Sequence, residues 1–285
     1  MVSPELARAL AALAATELGR GSERLAEPVL GDLAAACAAL SQPAGQRVGV
    51  ITGFYVPRAE QPAAETDGPL GTAVLARVLS TLGAEVEVAT DAACHPVVAA
   101  ALDAAGVPGA LQPAWPDVDP SEWTHSVAIE RVGHGADGRH HNMLGADISD
   151  VTAPIDVMFE NLRVPKTAIG DGGNEVGMGR LDPELVAATV HLGATIRSVV
   201  GCDHLIVGGT SNWGAHALAA LLAATAGVDA PALTEAGSRA ILDAMVAAGA
   251  VDGVTAENEP TVDGLSWDDY WAVPEEINRL LDVAR

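Results

Sequence analysis

Four polar clusters stand where short apolar runs end, and their residue types suit metal binding and proton transfer. Glu65-Thr66-Asp67-Gly68-Pro69 sets two carboxylates one residue apart, ahead of a proline that opens a helix. Such a pair can hold a hard cation, although Asp67 or Thr66 capping the helix, with Glu65 near its dipole, explains the same residues locally. Glu130-Arg131-Val132-Gly133 ends an apolar run and leads to Asp137-Gly138, Asn142-Met143, Asp147 and Asp150. Acid beside base there fits a binding site or a surface ion pair. The third cluster, Ile169 to Gly179, puts five glycines into the ten residues from Gly170 on yet keeps Asp171, Asn174 and Glu175. Glycines let backbone approach a ligand closely, as Gly172 and Gly173 would, and an Asp and a Glu at i and i+4 can meet on one cation if the loop folds back. The fourth, Gly208-Gly209-Thr210-Ser211-Asn212-Trp213-Gly214, precedes a helix, where backbone N–H groups with Ser211 and Asn212 form a carboxylate cradle or a simple N-cap.

Other chemistries find less support. The third cluster lacks the terminal Gly-Lys-Ser/Thr of a phosphate loop and the glycine spacing of a dinucleotide fingerprint, so no nucleotide cofactor is expected. His140 and His141 are adjacent and point to opposite sides of an extended chain, and no His-Glu-x-x-His occurs, which argues against a histidine zinc site. Glu257-Asn258-Glu259 with Asp263-Gly264 reads as a polar turn.

Hydrophobic periodicity supplies the elements that must hold these clusters. Two helices are expected over 4–40, broken at 19–21. A strand at 47–52, a helix at 69–82 stopped by Gly83, a strand at 85–90 and a helix at 95–105 then set a βαβα pattern. Strands follow at 126–131, 155–159, 167–170 and 204–208, with helices at 183–200, 213–226, 234–248 and 267–283. The expected fold is an α/β three-layer sandwich with a mostly parallel central sheet and an elaborated middle. With no repeat or low-complexity linker, residues 1–285 read as one domain carrying an N-terminal helical segment at 1–42. In open parallel sheets ligands bind beyond the carboxyl ends of the strands, which is where the four clusters fall.

Composition bounds the partners. An apolar share of 49% excludes disorder, and 285 residues are enough to bury a real core. With 38 acidic against 15 basic side chains the net charge is −23, which repels phosphate backbones and anionic lipid. The expected partner is a small molecule, with neither nucleic acid nor membrane; a homo-oligomer is compatible with the chain. Cys37, Cys94 and Cys202 are far apart, as suits a reducing compartment, and the first 20 residues hold no apolar stretch long enough for a signal peptide. A cytoplasmic protein is expected.

In order along the chain, Thr52-Gly53-Phe54, Glu65-Thr66-Asp67-Gly68-Pro69, Glu130-Arg131 with Asp137-Gly138 and Asn142-Met143, Gly170 to Gly179, and Ser211-Asn212-Trp213-Gly214 together resemble the D-glutamate cyclase family. The resemblance covers about residues 48–217, and Gly-Asp-Gly-Gly-Asn-Glu is its most specific run. It implies a hydro-lyase that cyclises D-glutamate to 5-oxo-D-proline with loss of water. On that reading Asp67, Glu130, Asp171 and Glu175 share metal ligation, to Mg²⁺ or Mn²⁺, and acid/base work, with Glu65 next. Thr52, Gly53, Arg131, Asn142, Gly172, Gly173, Asn174, Ser211 and Asn212 would bind substrate, Arg131 and the Ser211 cradle holding the α-carboxylate. Three other readings stay open, one of them another metal-dependent enzyme acting on an amino acid or lactam. A phosphohydrolase of the haloacid dehalogenase type shares Lys166 and the acidic glycine loop but needs an Asp-x-Asp where this chain has Val50-Ile51-Thr52-Gly53. A sensor could use the same cradle without turnover.

Overall fold

Short β-branched runs build the sheet of the computed structural model, which describes residues 3–42 and 44–284. Met1, Val2, Pro43 and Arg285, all within the span assigned to one domain, lie outside the described residues. In chain order the strands are β1 (Arg47–Thr52), β2 (Tyr55–Val56), β3 (Ala63–Ala64), β4 (Glu85–Ala89), β5 (His125–Ile129), β6 (Lys166–Gly170) and β7 (His204–Val207). The helices are α1 (Pro4–Ala14), α2 (Ser22–Ala26), α3 (Asp32–Leu40), α4 (Pro69–Thr81), α5 (His95–Ala104), α6 (Ile155–Asn161), α7 (Pro183–Thr189), α8 (Gly193–Ile196), α9 (Ser211–Ala226), α10 (Glu235–Ala247) and α11 (Trp267–Val283). Five strands pair in the order β4-β1-β5-β6-β7, each neighbour parallel, while β2 and β3 form a separate antiparallel hairpin.

Both faces of the sheet are covered, so its strands are apolar on both sides, as parallel sheets require. Val48, Val50, Val88, Val127, Ile129, Ile169 and Ile206 enter a core shared with α1, α3, α4, α5, α9, α10 and α11. Ile51, Ala89, Ala128, Ala168 and Leu205 enter a second core with Leu25 of α2, Phe159 of α6, Val186 of α7 and Ile196 of α8. The expected three layers are thus present. Gly49 in β1 leaves room for Trp123 to lie across the strand: a Cβ there would stand 2.0 Å from the ring. Because β4 lies on one side of β1 and β5 on the other, the chain order reverses between β1 and β5. That reversal opens a crevice at the carboxyl ends of both strands, the usual ligand position in such sheets.

Some expected elements differ. Residues 155–159 form α6 rather than a strand; Pro154 starts the turn, Ile155 and Phe159 face the core four residues apart, and Val157 is exposed. The helix expected over 183–200 ends at Thr189, resumes as the short α8 after Leu192 takes a left-handed φ of 56°, and then runs extended. β-Branched Val199 and Val200 fall in that extended stretch, where the Ser198 N–H donates to Gly173 and the Val199 N–H to His134. The N-terminal segment makes three helices, not two. Among the described residues no helix is long and apolar enough to cross a membrane.

His216 on α9 is buried, its Nε2 3.0 Å from Asn278 Oδ1, and burial lowers its pKa to about 4. It therefore stays neutral in the fold while the unfolded chain takes up a proton near 6.5. Its contribution to stability is complete above that pH and is lost as pH falls toward 4, by about 3 kcal/mol across the window. Urea unfolding at pH 7 and pH 4.5 should show this loss shrink in His216→Gln; an equal loss in both proteins would rule the histidine out as its source.

Candidate active site

The turn between β3 and α4, the end of β5, the glycine loop after β6 and the start of α9 meet at the crevice. Gly68, at φ 92°, lets the turn carrying Asp67 lie against β5, for a Cβ there would stand 2.6 Å from Glu130 Cβ. Glu130 itself holds a left-handed φ of 43°, which ends the strand at Ile129, two residues earlier than the 126–131 expectation. Such a conformation costs a non-glycine residue about 1–3 kcal/mol, and the Ser211 hydroxyl donates to the carboxylate that it places. Asp67 sits on the first turn of α9: the Ser211 and Asn212 N–H groups donate to its two oxygens at 2.8 Å each. Asn212 Oδ1 accepts from the Gly68 and Gly71 N–H groups, tying the start of α4 to the start of α9. In the glycine loop Glu175 folds back, and its oxygens accept from the Gly172 and Gly173 N–H groups at 2.7 and 2.8 Å. Asn174 Nδ2 donates to the His141 carbonyl, while its Oδ1 is buried without a protein partner.

These elements enclose a cavity of about 280 Å³. Glu65, Glu130, Asp171, Glu175 and Asp263 form an acidic wall, with Arg20 and Arg58 the arginines that line it. Arg20, from the loop between α1 and α2, donates from Nη1 to Asp171 Oδ2 at 2.7 Å, and its Nη2 lies 2.8 Å from Asp263 Oδ2. Burial opposes its charge, yet Asp171 and Asp263 hold its pKa above the ordinary arginine value. Burial, then the neighbouring carboxylates, push Glu65, Asp67 and Glu130 well above the carboxylate range. Asp171 and Asp263 rise to about 7, burial outweighing the pull of Arg20. The wall therefore accumulates more negative charge than it can ionise without a compensating cation.

Asp67, Glu130 and Asp171 each offer one oxygen, all within 4.8 Å of one another. Three buried carboxylate oxygens at that separation are the donor set and spacing that a hard divalent cation takes. Glu175, expected as a fourth ligand, is not part of this trio; its two oxygens accept from the Gly172 and Gly173 N–H groups of its own loop.

Several residues expected to bind substrate are engaged elsewhere. Arg131 turns away from the cavity: its Nη1 donates to Asp91 Oδ2 at 2.7 Å and to the Gly53 carbonyl at 2.9 Å, and its Nη2 donates to the Ala153 carbonyl. It is a buried strut between loops, so it does not reach a substrate carboxylate in the cavity. The cradle at Ser211 and Asn212 is filled by the protein's own Asp67. Gly172 and Gly173 spend their N–H groups on Glu175, and the Gly53 carbonyl serves Arg131. Thr52 is fully buried, with no hydrogen-bond partner for its hydroxyl. Asn142 does line the cavity, although its Oδ1 accepts from the Leu144 and Ala146 N–H groups. His140 and His141 diverge as expected, toward Asp156 and Asp137 respectively. Sequence reasoning passed over Arg20 and took Asp263 for a turn residue. A single arginine between Gly19 and Gly21, both at positive φ, is the signal that marked the first.

A family model described as D-glutamate cyclase-like, C-terminal, matches residues 10–278. The human protein named D-glutamate cyclase, mitochondrial, is 32% identical over 209 residues, which are 65% of this chain and 34% of that protein. The chain thus spans about a third of the length of this curated relative.

Replacing Arg131 by Gln should leave Asp91 buried without its ion pair and destabilise the fold by about 3–5 kcal/mol. Chemical denaturation would register it. A variant of unchanged stability would show that the arginine is free for another task.

Proposed function

Because the chain belongs to the D-glutamate cyclase-like family, we propose that it is a lyase converting D-glutamate to 5-oxo-D-proline and water. The observation that carries this reading is the convergence of Asp67, Glu130 and Asp171 beside a small acidic cavity that Glu130 and Asp171 line together with Glu65 and Asp263. Ring closure joins the α-nitrogen to the γ-carboxyl carbon and breaks one of that carbon's C–O bonds. The nitrogen enters as an ammonium group and ends as an amide N–H, so it gives up two protons, and the departing oxygen takes up two to leave as water. The reaction is proton-neutral and needs groups that both accept and return protons. In this reading Asp263, beside Arg20, and Glu65, next to the Asp67 turn, carry out this exchange from outside the converging trio. Arg20 holds Asp171 and Asp263 in fixed orientation, and Glu175 fixes the backbone that carries Asp171. A divalent cation such as Mg²⁺ or Mn²⁺, held by Asp67, Glu130 and Asp171, would polarise the γ-carboxyl group and offset the charge of the wall. No nucleotide, nucleic acid or membrane enters this reading. The thiols Cys37, Cys94 and Cys202 are all unpaired, which supports a reducing compartment such as the cytoplasm.

Chiral chromatography of the products from D- and L-glutamate tests the proposal. The D-enantiomer should give 5-oxoproline, chelation should stop turnover and added Mg²⁺ or Mn²⁺ should restore it. Glu65→Gln and Asp171→Asn should each lower kcat by about 10²- to 10⁴-fold with the fold intact. Absence of product from either enantiomer would overturn the reading, and chelator-resistant turnover would remove the metal from it.

A further inference from the structure

Arg58 is the cation of the cavity that the site does not already use. It lies on the loop between β2 and β3, is exposed, and lines the cavity. Its Nη2 donates to the carbonyls of Gly253 at 2.6 Å and Val254 at 2.8 Å, so the guanidinium is pinned across the cavity mouth to the opposite loop. Among the described residues no carboxylate pairs with it, and its remaining donors make no protein hydrogen bond. Arg20, by contrast, spans two carboxylates already. In a chain of net charge −23, an arginine held by backbone carbonyls rather than by an acid is a site prepared for an anion from outside.

We propose that Arg58 receives the spectator α-carboxylate of an amino-acid substrate, and so sets both which substrates are accepted and which way round they enter. The assignment rests on the lyase reading above for the identity of the reacting groups. An α-amino dicarboxylate carries one cationic and two anionic groups. With five carboxylates lining the cavity, two of them members of the converging trio, the ammonium group is drawn to the wall. The carboxylate that does not react would be repelled there, and Arg58 gives it a partner at the mouth. The amine and the γ-carboxyl group then both face Glu65, Glu130 and Asp171. The reverse orientation would hold the γ-carboxyl group at the mouth, away from Glu130 and Asp171, and would be unproductive. Substrates whose α-carboxylate is masked should be the ones that the mouth rejects.

The test compares D-glutamate with its α-amide, D-isoglutamine, in the wild-type protein, Arg58→Gln and Arg58→Lys, with thermal melting to show that each is folded. Wild type should favour D-glutamate in kcat/KM by about 10- to 100-fold, the range for a hydrogen bond to a charged group. Arg58→Gln should bring that ratio to within about threefold of unity, mainly through KM, and Arg58→Lys should retain part of it. Loosening of the mouth alone would slow both substrates equally and keep the ratio, which would overturn the assignment. A second measurement is independent of turnover: calorimetric binding of glutarate against its monoamide, glutaramate. A wild type that makes no 5-oxoproline yet prefers glutarate, with the preference lost in Arg58→Gln, keeps the carboxylate site and discards the lyase. A preference that survives the substitution, or wild type binding neither probe, discards the site.

Discussion

Six carboxylates around one crevice are the constraint that the rest of the molecule answers. Glu65, Asp67, Glu130, Asp171, Glu175 and Asp263 are drawn together in a volume from which water is mostly excluded, where like charges repel far more strongly than at the surface. The chain spends specific devices on them. The dipole and free N–H groups of α9 hold Asp67, the glycine loop wraps Glu175 with two N–H groups, Ser211 donates to Glu130, and Arg20 bridges Asp171 and Asp263. The first three devices each fix one acid and Arg20 fixes two, and none removes an acid from the crevice. A strained Glu130 and acids raised to about 7 are what the molecule tolerates to keep them together, a concentration of unfavourable terms that packing alone would not select.

The same constraint explains where the sequence was legible. The central strands and the long helices α4, α5, α9, α10 and α11 carry their period in apolar residues, and the structure places them within a few residues of expectation. The glycine-rich run and the Glu-Thr-Asp-Gly-Pro turn could be read because their composition is wasteful for any ordinary loop. Period failed where short segments are shaped by distant polar contacts. Residues 155–161 coil into α6, whose buried Asp156 meets His134 and His140, and residues 197–200 stay extended because their backbone bonds to the loops at 134 and 173.

Side-chain direction was the harder matter. Glu130 and Arg131 are neighbours, yet one faces the cavity and the other the Asp91 strut, a divergence that a residue list cannot express. Arg20 and Asp263 come from opposite ends of the chain and meet only because α1 and α11 pack on the same side of the sheet. The N-terminal helices are therefore part of the site's electrostatics, even though no acid of the crevice comes from them.

The occupation of the α9 N-terminus by Asp67 separates two kinds of evolutionary freedom. Where a helix terminus holds the ligand's anion, selectivity is written into backbone and can change only with the fold. Here that terminus is committed to the protein's own acid, and the guanidinium left over stands on a two-stranded hairpin outside the main sheet. Hairpins of that kind lengthen, shorten and exchange residues at little cost to the core. A lineage built on this scaffold can therefore vary the charge at the edge of the cavity through one small loop while the buried acids stay as they are.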